Sequence, residues 1–261
     1  MRRGFEGNEG MIQCGADLHI HTVLSPCASR QMRPKAIVSR AMETGMAVIA
    51  VCDHNSAGNV QAVRRASEMM DGPFVIPGME ITTREEVHVL GFFPDDSAAL
   101  AASQEVRAGL PPWRPLLPCA AAGRTPGQEL VDVEGNVTGI EEKMLGSASL
   151  FSLGETVELI HRCGGLAVAA HMDRRSFSVP GQLGFLPPDV PFDALEVSAA
   201  GAARGKAAEL ARHGLPILCS SDGHFPADIG TGFTVLEVQE PAFSELALAL
   251  RRADGRRCRL A

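Results

Sequence analysis

Residues 46–54 read MAVIAVCDH, an unbroken apolar run that ends on an aspartate and a histidine. A strand covered on both faces has no polar side to alternate with, so seven consecutive apolar residues predict a buried parallel strand. To the left, residues 34–44 have helical spacing and stop at Gly45, and DLHIH (17–21) reads as an earlier strand. To the right, Asn59 caps a helix through Met70, and residues 74–80 and 87–93 read as two more strands. A helix follows at 97–107.

The period is then lost. Residues 109–127 (GLPPWRPLLPCAAAGRTPG) are dense in proline, glycine and alanine and read as a loop or cap, and 130–140 as a small hairpin turning at Glu134-Gly135-Asn136. Helical spacing returns at 155–163. Strands recur at 166–170, 195–199, 217–220 and 233–238, with helices at 203–213 and 242–252. This alternation predicts parallel strands with helical crossovers, an α/β barrel of seven or eight strands interrupted by an irregular insertion at 94–150. The expectation is one domain over 1–261, with 1–15 as a flexible tail. No GxGxxG or GxxxxGK[ST] occurs, which removes dinucleotide and P-loop readings.

Composition narrows the function. With 45% hydrophobic and 21% charged residues the chain can build a sizeable core, and a net charge of -7 argues against wrapping long duplex nucleic acid. The seven cysteines are scattered with no CxxC pair, so no zinc ribbon or redox motif is indicated. The first ten residues hold no apolar core of a signal peptide, and no run is long enough to span a bilayer; a cytoplasmic location is the expectation.

The histidines carry the chemistry. Of eight, six fall at or beside strand ends: His19 and His21, His54, His88, His171 and His224. Glu80 ends the third strand and Asp222 follows the strand ending in SS. In a parallel barrel all strand C-termini share one rim, so these residues converge there. In HxH both imidazoles point to one face, because side chains alternate with period two. Mixed imidazole and carboxylate ligands suit zinc, manganese or iron, and so many ligands imply two or three ions. His161 and His213 stand apart, read as solvated histidines at helix ends.

The ordered set DLHIHTVLSPC, VIAVCDHNSAGN, VIPGMEITTREEVHVLGFF, LAVAAHMDR and LCSSDGHFPADIG, spanning 17 to about 230, resembles the PHP (polymerase and histidinol phosphatase) family. The resemblance implies a distorted (β/α)7 barrel with a two- or three-metal centre that hydrolyses phosphate esters, through a hydroxide bridging two ions. It implies a first ion on His19, His21, Glu80 and Asp222 and a second on His54 and Glu80, with Cys27 an open further ligand there and His88, His171 and His224 for a third or shared. Many relatives carry aspartate or histidine where this chain has Pro26 and Cys27, so Cys27 is either a thiolate ligand or a bystander. Asp17 reads as an orienter of a histidine. Arg174 and Arg175, just past His171, are candidates to grip a second phosphate. The expected partner is a phosphorylated small molecule, a nucleotide or a short oligonucleotide. Two rivals are an amidohydrolase-type barrel, whose usual mid-barrel lysine is missing, and a non-catalytic metal-stabilised module.

Overall fold

The structure, a computed structural model, describes residues 10–113 and 127–261. Most of the 109–127 segment, Cys119 included, and the first nine residues of the expected tail lie outside them. In chain order the elements are β1 (Ile12–Ile20), α1 (Pro34–Glu43), β2 (Met46–Val51), α2 (Val60–Met69), β3 (Phe74–Thr82), β4 (His88–Phe92) and α3 (Asp96–Gly109). There follow β5 (Glu129–Val131) and β6 (Val137–Ile140), α4 (Leu153–Arg162), β7 (Leu166–Ala169), α5 (Val179–Leu183) and β8 (Ala194–Ser198). The chain ends with α6 (Ala199–Ala203), α7 (Lys206–Leu210), β9 (Ile217–Ser220), β10 (Thr234–Val238), α8 (Phe243–Arg251) and β11 (Arg257–Leu260).

One nine-stranded sheet runs β11-β10-β1-β2-β3-β4-β7-β8-β9. It curls into a nearly closed barrel, because the chain beyond β9 returns to β1. Gly223 N–H donates to His19 O at 3.0 Å, and His21 N–H donates to Gly223 O at 2.9 Å. The fold class expected from the sequence is thus the one observed. Alternation sorts the apolar residues into two layers. Val48, Ala50 and Cys52 of the opening stretch join Leu18, Ile76 and Leu90 inside the barrel, while Ile49 and Val51 join the layer under the helices. Gly78 faces this interior, where an added Cβ would stand 2.7 Å from Cys52 Sγ and 2.8 Å from Val51 O.

Several expectations are corrected. Not every strand is parallel: β4 runs antiparallel to both β3 and β7, and β10 and β11 are antiparallel additions. Residues 83–87 are too few for a helical crossover, so only a hairpin can join β3 to β4. The expected tail is already strand from Ile12, which pairs with Val238. The helix expected at 203–213 is broken at Gly205, whose φ of +75° caps α7. His161 is not simply solvated: its Nε2 lies 2.8 Å from Asp193 Oδ2.

The insertion is docked rather than loose where it is described. Asn55 Nδ2 donates to Leu145 O and Ser147 O, both at 2.8 Å, and Asn59 joins Glu129 O and Val131 N at 3.0 Å. Leu24, Leu110 and Leu145 form a small apolar cluster beneath it. The insertion therefore braces the loop that follows β2 and carries His54.

Candidate metal centre

Glu80 is the hub. It is buried on β3, and five histidines surround its carboxylate. Oε1 lies 2.7 Å from His88 Nδ1, 3.2 Å from His171 Nε2 and 3.5 Å from His19 Nε2. Oε2 lies 2.9 Å from His54 Nδ1 and 3.5 Å from His21 Nε2. Asp222 Oδ1 stands 3.1 Å from His21 Nε2 and 3.3 Å from His19 Nε2. His224 packs against His21, with ring centroids 4.2 Å apart. Three overlapping trios result: His19, His21 and Asp222; His54, Glu80 and His88; His21, His54 and His224. Cys27 is exposed at the edge, its Sγ 3.1 Å from His224 Nε2.

Backbone irregularities aim these side chains. On β1, Ala16 and Leu18 face the barrel interior, so unbroken alternation would turn His19 and His21 to the helical layer. The β1–β2 register slips between Asp17 and Ile20, a bulge that sends Ile20 outward and both histidines inward. His171 follows an inward Ala170, and a left-handed φ of +28° turns it in; Asp222 has φ of +50°. Such conformations are costly for residues other than glycine and persist where the surroundings enforce them. His88 reaches the rim because β4 runs backwards, placing its N-terminus beside the C-terminal end of β3.

Ring tautomers follow from partners that can only accept. His19 Nδ1 lies 3.2 Å from both oxygens of Glu196, so it keeps a proton, and Nε2 is the nitrogen left to offer its lone pair once an ion displaces the second proton that Glu196, Asp222 and Glu80 favour on the ring. Ser25 Oγ spends its one proton on Asp53 Oδ1 at 2.6 Å. His21 Nδ1–H therefore donates to Ser25 Oγ at 2.9 Å, again leaving Nε2 free. His224 Nδ1–H donates to Asp222 O at 2.8 Å. Sequence reading missed Glu196, Ser25 and Asp53. A carboxylate inside the apolar strand ALEVS (194–198) was the available sign, since an unpaired charge there is too costly to keep. The Asp17 carboxylate meets the His19 backbone and the turn before Asp222 rather than an imidazole ring. Its oxygens accept from Ser221 N–H at 3.0 Å and Gly230 N–H at 2.9 Å, which fixes the turn bearing Asp222.

The donor set fits divalent ions. Bonds of about 2.0–2.2 Å put tetrahedral ligand atoms roughly 3.3–3.6 Å apart, and octahedral geometry shortens this to about 3 Å. The separations around His19, His21, Asp222 and Glu80 lie in this range. His54 Nδ1, Glu80 Oε2 and His171 Nδ1 are buried with no hydrogen-bond partner, although the first two are only 2.9 Å apart. Close approach without hydrogen-bond alignment is what two ligands of one cation show.

Electrostatics agree. Burial opposes charge on Glu80, but His88, His19 and His54 hold its carboxyl well below the usual range. Asp222 is likewise held down against burial by His19 and His21. Glu80 outweighs burial at His54 and pushes it up to about 10, whereas burial holds His21 down to about 3. The cluster attracts cationic charge, and ions would displace the protons from His54. Two expected outcomes follow. Zinc or manganese at 100 times its dissociation constant adds about 2.7 kcal/mol, a rise in Tm of roughly 5–10 °C for a chain of this size; a scan unchanged by both metals and by iron would count against the site. Burial raises the Cys27 thiol, but hydrogen bonds from His224 and His54 outweigh it and bring it to about 7. Iodoacetamide labelling of the metal-free protein should then show a midpoint near pH 7 at Cys27, and zinc should suppress it; labelling indifferent to zinc removes Cys27 from the ligands.

Of the two arginine candidates, Arg174 is engaged, with Nη1 2.5 Å from Asp222 Oδ2. Arg175 is exposed on the same cleft, which has a volume of about 710 Å³ and reaches from the histidines to Phe177 and Arg204.

Comparison with known proteins supports the motif reading at the level of fold. Residues 201–254 match the PHP-associated family. No curated protein sequence matches the chain. Among solved structures it is similar to the lesion-specific endonuclease Q of Pyrococcus furiosus, with a TM-score of 0.69 and 20% identity over 95% of this chain and 58% of that one. A complex of endonuclease Q with a 27-mer duplex bearing an abasic lesion at the active site gives a TM-score of 0.69 at 19% identity, covering 94% and 58%. A two-domain protein from Bacteroides vulgatus, containing a predicted PHP-like metal-dependent phosphoesterase, gives 0.59 at 15% identity, covering 100% and 69%. The chain thus spans 58% of the length of the endonuclease Q structures.

Proposed function

We propose that this PHP-fold chain is a metal-dependent phosphoesterase, acting on a phosphate ester of a small molecule, a nucleotide or a short oligonucleotide. The observation that carries the reading is the buried Glu80 carboxylate with five histidines around it and unpartnered polar atoms at its centre. Two or three divalent ions, of zinc, manganese or iron, would supply the nucleophile and offset the charge of the phosphoryl oxygens when bound. His19, His21, Glu80 and Asp222 would hold one, and His54, Glu80, His88, His171, His224 and Cys27 the others.

The chain's own residues do the rest. Glu196 and the Ser25–Asp53 pair keep His19 and His21 in the tautomer that offers Nε2. The interior below is apolar and buried, lined by Leu18, Ala50, Ile76 and Leu90, and a low-dielectric floor strengthens the charge interactions above it. Arg175, which lines the same cleft, would meet a second phosphate of the substrate with its guanidinium fork. The likeness to endonuclease Q brings polynucleotide phosphodiesters into the range to be tried, while the net charge of -7 favours short ones. No helix among the described residues is long and apolar enough to cross a membrane.

The test is a substrate panel on one purified sample whose metal content is measured. It should include histidinol phosphate, nucleoside mono- and bisphosphates, short oligonucleotides and an abasic duplex, each with zinc, manganese and iron. Hydrolysis that disappears with chelation and returns with metal is expected. Bound metal without hydrolysis of any of these favours a metal-stabilised module instead.

A further inference from the structure

The loop after β7 carries an aromatic residue that the ligand set does not require. Phe177 has φ of +59°, a left-handed conformation that a bulky side chain keeps only where its surroundings hold it. Those holds are present. His88 N–H donates to Phe177 O at 2.8 Å. Ser178 Oγ donates to Arg174 O at 2.6 Å and accepts from Gly181 N–H at 3.0 Å. Gly181 is pressed so close that a Cβ there would stand 2.3 Å from Arg175 O.

The outcome is a phenyl ring laid on the His88 imidazole, with centroids 4.6 Å apart and planes 16° apart. The residue stays 41% exposed and lines the cleft shared with Glu80, His171 and Asp222. One ring face is covered by a metal-ligand candidate, and the exposed part of the residue borders the cleft beside it. Two residues earlier, Arg175 lines the same cleft and has no polar partner among the described residues. A rigid, half-open aromatic next to a free guanidinium recognises a planar ring joined to an anion, since stacking is tolerant of ring identity and the fork matches phosphate.

We infer that Phe177 is a specificity-determining residue, which stacks the nucleobase of a substrate with its scissile phosphate at the histidine–carboxylate cluster and a second phosphate at Arg175. This rests on the phosphoesterase reading and extends it from phosphoesters in general to nucleotides. A free nucleotide and an oligonucleotide end share this chemistry.

The experiment compares kcat/KM of the metal-supplied protein for three probes: adenosine 5′-monophosphate, a 5′-phosphorylated adenine dinucleotide, and ring-free glycerol 3-phosphate. Phe177→Leu should lower the nucleotide-to-glycerol-phosphate ratio about 5- to 150-fold, and Phe177→Tyr should keep it within about threefold of the parent. Any general damage passed through His88 cancels in that ratio. The mononucleotide and dinucleotide arms separate the two sources. A ratio unmoved by Phe177→Leu overturns the stacking role while leaving the phosphoesterase reading intact. A parent protein that hydrolyses none of the probes, nor any other phosphoester, overturns both.

Discussion

Glu80→Gln should strip the site of all but at most one ion and lower phosphoester hydrolysis on the order of 10³-fold or more. The substitution keeps the volume, so the barrel has no cavity to fill, and the effect is electrical. Both Glu80 oxygens face histidine nitrogens, Oε1 three of them and Oε2 two. An amide removes the negative charge and turns one of those oxygens into a donor pointed at the place where cations belong. Metal content by elemental analysis and activity on the best substrate measure the effect, and near-UV circular dichroism checks that packing survives. A Glu80→Gln protein that keeps its full metal complement and its rate would sink the bridging role.

Glu196→Gln should weaken metal binding 10- to 100-fold, although Glu196 belongs to no ligand trio. Its carboxylate accepts from His19 Nδ1–H and, at 2.9 Å, from His171 N–H, so one group steadies two ligand-bearing segments. A glutamine removes the charge and sets an NH2 donor 3.2 Å from the His19 Nδ1–H donor, and such a mismatch in a buried place costs about 1–3 kcal/mol. Chelator competition with zinc reads the affinity and urea unfolding reads the stability. Affinity unchanged within about threefold, against the 10-fold minimum for such partners, would show that Glu196 only fills space.

Both substitutions bear on how much of the centre can be read from the chain. His19, His21, His54, Glu80, His88, His171, Asp222 and His224 were all legible because each closes or flanks an apolar run, and runs of this kind become barrel strands. Glu80 is recognisable in the sequence as one candidate ligand among several, but its position as the hub is not, since its five histidine neighbours come from four different strand ends or turns. Glu196 is not legible in the sequence, because a single carboxylate in a short strand looks alike whether it serves a histidine or an arginine. The His19 ring is oriented by Glu196 from 177 residues away, while Asp17, adjacent in sequence to the HxH pair, meets the His19 backbone and the turn before Asp222.

By itself the sequence determined the alternation of strands and helices, the inventory and order of candidate ligands, and the common face of His19 and His21. These are local properties, set by side-chain period and by which residue types can be buried. The tertiary structure decided which face that was. The bulge between Asp17 and Ile20 depends on how β1 meets β2, the reversal of β4 on a five-residue hairpin, and the left-handed turns at His171 and Asp222 on contacts that outweigh their backbone cost. Each is settled by hydrogen bonds between segments distant in the chain, and period alone carries no record of them.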